Sequence, residues 1–186
     1  MSIWGGITGG LLGFVVLGPI GALVGSVIGS NISSRSKRRR PNNFDQQVAF
    51  FAALFACLAK IAKADGRVDE AEIKKIEEII SSKLNLNKEH RHFAINIFQK
   101  AKDDNVSFEA YASNLYQILS TSPNSLLVFY EMLFELALAD GVLHPNEDDL
   151  LKKIPRIFRF DENVYQSLYE KFVDKTNDYF KTLGVN

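Results

Sequence analysis

The chain has 186 residues, 46% of them hydrophobic and 24% charged, the composition of a folded protein; a chain disordered along most of its length is excluded. Basic and acidic residues both number 22, so the formal net charge is zero. That zero hides an uneven distribution: residues 1–34 carry no charge, Arg35, Lys37, Arg38, Arg39 and Arg40 form a collar of +5, and the chain beyond it nets −5.

The first element is the uncharged, mostly apolar stretch Ile3–Ile32. At about 1.5 Å per residue it is long enough to cross a hydrocarbon core of about 30 Å with some tilt. The basic residues all follow it, whereas a cleaved signal peptide places them before its apolar run. Residues 1–34 are therefore expected to form a single-pass transmembrane anchor. Lysine and arginine resist translocation, so the short N-terminus is expected outside and the rest in the cytoplasm. Within the stretch Gly5, Gly9, Gly13, Gly21, Gly25 and Gly29 share one four-residue register. Such a face lets helix backbones approach closely, and a homodimer through it is expected. Gly5, Gly6, Gly9 and Gly10 make no nucleotide loop, because no strand precedes them and no Gly-Lys-Ser/Thr follows.

Residues 35–44 read as a basic juxtamembrane linker. Five cations beside a membrane helix fit anionic lipid headgroups better than nucleic acid, so membrane lipid is the expected partner and nucleic acid is not. From residue 45 to 175 the apolar spacing is helical throughout. Asp45 is a candidate cap for a helix to about Lys63, and Asp69 with Glu72 a capping box for the next, to about Lys83. Asn87 opens a third and Ser107 a fourth to about Leu119, while Ser122-Pro123 starts a fifth, Pro145 a sixth and Asp161 a seventh. The helices after Asp45 and Ser122 are apolar nearly all round and are expected at the centre of an all-α bundle of about seven helices.

Those two helices end alike. Ala64-Asp65-Gly66-Arg67-Val68-Asp69-Glu70-Ala71-Glu72 recurs 75 positions on as Ala139-Asp140-Gly141-Val142-Leu143-His144-Pro145-Asn146-Glu147, an internal repeat with an expected pseudo-two-fold arrangement. The unit resembles the second half of a calcium loop without the earlier oxygen ligands. Its structural reading is a glycine-ended helix followed by a capped one. Its chemical reading is two carboxylate-rich patches able to hold a divalent metal ion, Asp65, Asp69 and Glu72 in the first copy and Asp140, His144 and Glu147 in the second. His90 and His92 stand two apart on one helix, face different ways and make a poor zinc pair, consistent with surface or capping roles. Cys57 is the single cysteine and sits in an apolar run, expected as a buried thiol in a reducing compartment. No nucleophile set or phosphate loop is recognisable, so no enzyme activity is expected.

The paired Lys63-Ala64-Asp65-Gly66 and Leu138-Ala139-Asp140-Gly141 motifs, each leading into an acidic helix start, resemble the TerB family of tellurite-resistance-type domains. The resemblance covers about residues 45–175 and implies an all-helical fold with acidic surfaces that are candidates for metal. A glycine-rich anchor, a basic collar and a TerB-like domain, in that order, resemble the DjlA-type membrane-anchored DnaJ-like co-chaperones. Residues 176–186 add a J-like segment, in which Asp178, Tyr179, Leu183, Gly184 and Val185 are similar to the opening of a J domain. The rest of that domain, with its His-Pro-Asp loop, is not in the chain. The resemblance implies a bacterial inner-membrane co-chaperone component that positions or regulates a DnaK-type chaperone through a J domain not present here. It leaves the protein partner of the acidic domain open. Two alternatives stand beside it: a stand-alone metal-binding, stress-response module, and a membrane oligomerisation scaffold.

Overall fold

The computed structural model describes residues 18–28, 43–64, 88–138 and 142–174. Regular structure among these is helical, with no strand: α1 (Pro19–Ile28), α2 (Asn43–Lys63), α3 (Lys88–Asp103), α4 (Phe108–Leu119), α5 (Pro123–Ala137), α6 (Pro145–Leu151), α7 (Ile154–Phe158) and α8 (Asn163–Tyr169), which runs into a π-helical turn, Glu170–Asp174. The helix expected after Asp69 lies outside the described residues, as does the whole basic linker from Arg35 to Arg40.

The bundle is built around α2. All eight positions from Ala52 to Ala59 are buried, so the helix is enclosed on every side. Ala49, Ala52, Ala53, Ala56 and Ala59 keep its surface low, which lets α3, α4 and α5 pack closely against it. The expectation of a central, apolar helix holds for α2. It does not hold for α5, which buries Leu126, Phe129, Tyr130, Leu133, Phe134 and Ala137 on one stripe and leaves Leu127 and Val128 exposed.

The predicted starts agree closely with the observed ones. Ser107 caps α4, its Oγ accepting the N–H of Ala110 at 3.2 Å. Pro123 occupies the first turn of α5, where a missing N–H costs nothing, although Ser122 makes no side-chain cap there. The run from Pro145, expected as one helix, is divided into α6 and α7. Pro155 is the physical reason, because it has no N–H to donate to the Leu151 carbonyl four residues back and its ring crowds that carbonyl. The freed Leu151 oxygen instead accepts a hydrogen bond from the buried Tyr130 hydroxyl at 2.8 Å. α7 then stops at Arg159, which is left-handed with φ 57°, and the Phe160 N–H closes back on Pro155 at 2.9 Å.

Phe129 joins the two halves of the core. It meets Phe50 of α2 edge-on at 5.6 Å between ring centroids and Phe158 of α7 at 5.8 Å.

Candidate functional site

The C-terminal part of the expected anchor is described, and it is docked on the bundle. α1 packs on α2, α3 and α4, burying Ile20, Leu23 and Val24. In this structure it begins at Pro19, because Gly18 at φ +102° is not helical and proline suits a first helical position. A Cβ on Gly18 would lie 2.7 Å from the Asn114 side chain, so glycine is required there by contact as well as by conformation. The same Asn114, itself buried on α4, accepts the Ile20 N–H at 3.1 Å and satisfies a donor at the start of α1 that has no partner within the helix. At the other end Lys100 of α3 donates to the Ser26 carbonyl at 2.8 Å, a cation at the negative end of the helix. An open crevice of about 560 Å³ runs beside α1, lined by Pro19, Leu23 and Ser26 and, across from them, Lys100, Asp104 and Tyr111. No helix among the described residues is long and apolar enough to cross a membrane.

Of the glycine register, Gly21 and Gly25 fall in α1, and a Cβ added at Gly25 would meet nothing within 4 Å. Among the described residues, nothing packs on α1 at Gly25. Gly5, Gly9, Gly13 and Gly29 lie outside the described residues, as does the J-like segment Asp178, Tyr179, Leu183, Gly184 and Val185.

Four of the six candidate metal ligands, Asp65, Asp69, Glu72 and Asp140, also lie outside them. The two that are described take the capping role: the His144 N–H donates to Glu147 Oε2 at 3.1 Å at the start of α6. Asn146 then donates to the Ala64 carbonyl at 3.2 Å, so the second copy of the repeat touches the first at Ala64. Among the described residues no group of three or more histidine, cysteine or acidic side chains is placed to hold a metal ion. His92 is exposed, whereas His90 is buried on the inward stripe of α3 with Phe93, Ala94 and Ile97, which corrects the surface half of its expected surface or capping role.

Asp104, not singled out by its sequence context, ties three elements together. Lys60 of α2 donates to its Oδ1 at 2.8 Å and to its backbone carbonyl at 3.0 Å. The Val106 N–H donates to the same Oδ1 at 2.9 Å, and the Tyr111 hydroxyl of α4 donates to Oδ2. Burial first, and then the bond to Asp104, push the Tyr111 phenol far above its ordinary value.

Cys57 is wholly buried, and burial, with the charge of Glu109 adding to it, holds its thiol far above the ordinary 9.0. The folded chain should therefore resist iodoacetamide at about pH 8 and react once unfolded, a difference that mass spectrometry reads directly. Rapid labelling of the native chain would contradict the burial. The neutral thiol favours the fold fully below the ordinary pKa of 9.0, and that contribution is lost as pH climbs beyond it.

Residues 51–169 match the family described as Tellurite resistance protein TerB. Residues 1–39 match the one described as Co-chaperone DjlA transmembrane domain. Among curated relatives, the Co-chaperone protein DjlA of Photobacterium profundum is 33% identical over 172 residues, covering 86% of this chain and 62% of its own length. That of Coxiella burnetii is 29% identical over an alignment taking in all of this chain and 78% of the relative. That of Escherichia coli K12 is 29% identical across 81% of this chain and 57% of the relative. The chain thus spans less than two thirds of the length of the first and third of these. No solved structure matches it. With its helical body matched from α2 through α8, behind a segment similar to the DjlA transmembrane domain, the chain belongs to the TerB family.

Proposed function

We propose that the chain is a membrane-anchored co-chaperone component: residues 1–34 hold it in a bacterial inner membrane, the collar Arg35–Arg40 keeps the helical body on the cytoplasmic side, and the TerB body is a non-enzymatic interaction module. The observation that carries this reading is the order of parts, a DjlA-type transmembrane segment followed directly by a TerB domain, shared with relatives named as co-chaperones. In this reading a DnaK-type chaperone is the partner, reached through a J domain that would lie outside these 186 residues. The letters around Asp178–Val185 support that placement.

The test compares two preparations in a DnaK-type ATPase assay. The 186-residue chain alone should leave the ATPase at its basal rate. The protein purified from its own membrane should exceed the 20.9 kDa of this chain by roughly a 70-residue module and should stimulate the ATPase. A native mass equal to 20.9 kDa, with no stimulation, would sink the co-chaperone reading.

A further inference from the structure

Residues 19–28 are claimed by two environments. Their match to a transmembrane domain places them in lipid, yet in the structure they form α1, with Ile20, Leu23 and Val24 buried against the bundle. Both cannot hold at once. A ten-residue helix is about 15 Å long, half of a hydrocarbon core of about 30 Å, so a full span needs α1 continued in register with the residues before it. Gly18, at φ +102°, breaks that continuity in the docked form. Glycine is also the residue that returns to helical φ without steric cost.

We propose that the groove formed by α2, α3 and α4 is a seat for the chain's own anchor, occupied by residues 19–28 while the chain is in water and vacated when they enter a bilayer. The inference rests on the anchor reading above. Polar groups of the body mark the two ends of the seat: Asn114 accepts the Ile20 N–H and Lys100 donates to the Ser26 carbonyl, two groups that a helix continued past both ends of α1 would satisfy within itself. These are bonds that a docked fragment of a longer helix needs and a continuous span does not. The fit is also incomplete. The crevice of about 560 Å³ beside α1 leaves its Ala22 and Ser26 side open, as suits a segment that must leave. The seat thereby shields the apolar second half of the anchor from water before insertion.

Single thiols read both states in the full chain. In a Cys57→Ala background, Ser26→Cys lies on the open side of α1, Val24→Cys lies against the body, and Val128→Cys on α5 is an exposed control. The chain is synthesised without cells, with or without vesicles of phosphatidylethanolamine and phosphatidylglycerol, and treated with a membrane-impermeant maleimide. Without vesicles, Ser26→Cys should label at the rate of the control and Val24→Cys slower by about 100-fold or more. With vesicles, both should become protected while Val128→Cys still labels. Equal, rapid labelling of both positions in water would overturn the seat. An unchanged docked pattern in chain that resists carbonate extraction from the vesicles would overturn the exchange. Release of the chain by carbonate, with the docked pattern intact, would instead overturn the anchor reading and leave the seat standing.

Discussion

Replacing Phe129 by alanine should lower the unfolding free energy by about 3–5 kcal/mol, the range for deleting a buried phenylalanine ring. The ring is fully buried, and its contacts reach back to Phe50 in α2 and forward to Phe158 in α7. No single side chain of α5 could relax to cover both neighbours, so the void should persist and the cost should fall toward the top of that range. At about 3 °C per kcal/mol for a chain of this size, the thermal midpoint should drop by roughly 9–15 °C. Circular dichroism of the full chain in detergent reads this. Phe129→Leu, which keeps most of the volume, should cost less than about 1.5 kcal/mol. A midpoint within about 3 °C of the parent for the alanine variant would mean that α5 does not pack through this ring.

Asp104→Ala should cost about 2–4 kcal/mol. The change takes the carboxylate from the Lys60 ammonium, whose side chain is only 11% exposed, leaving it the backbone carbonyl of residue 104, and removes the acceptors of both the Val106 N–H and the Tyr111 hydroxyl. Wholly buried pairs cost about 3–5 kcal/mol when one partner is deleted, but Asp104 is 27% exposed and water can reach it, which lowers the figure. Asp104→Asn separates charge from geometry. It retains an oxygen for Val106 and loses the ion pair, so it should cost about half as much. If denaturant unfolding gives the same midpoint for the alanine variant and the parent, Asp104 does not join α2 to α4. The crevice beside α1 provides a second readout, since Asp104 and Tyr111 both line it.

Most of the helical layout was legible because it follows from local chemistry. Ser107 and Pro123 mark starts by satisfying or omitting the N–H groups that a helix leaves unpaired, and no distant residue is needed to read them. The central place of α2 was legible too, since a helix apolar on every side has nowhere else to go. α5 was misjudged by the same rule: Leu127 and Val128 are as apolar as their neighbours, and their exposure is decided by what packs across from them, which composition does not encode. The division of α6 from α7 had a local signal in Pro155 that the expected single helix overlooked. Gly18-Pro19 was likewise a turn signal inside an apolar run, and it marks where α1 begins. Asn114 and Asp104 had no such signal. Each is a polar residue in an ordinary helical or loop context, and its role arises from groups 94 and 44 positions away in sequence.

The hydrogen bond from Tyr130 to Leu151 makes two distant positions answer to one requirement. A single carbonyl needs one donor, and it receives it from a phenol because the imino acid at 155 has none to give. Any residue other than proline at 155 would offer a backbone N–H to the same oxygen, whose two lone pairs can accept both it and the phenol. The dependence therefore runs one way: with proline at 155, loss of the phenol at 130 takes from the buried Leu151 carbonyl the donor it has here, so across sequences that share this fold proline at 155 should be accompanied by a donor at 130, whereas tyrosine at 130 can stand without it.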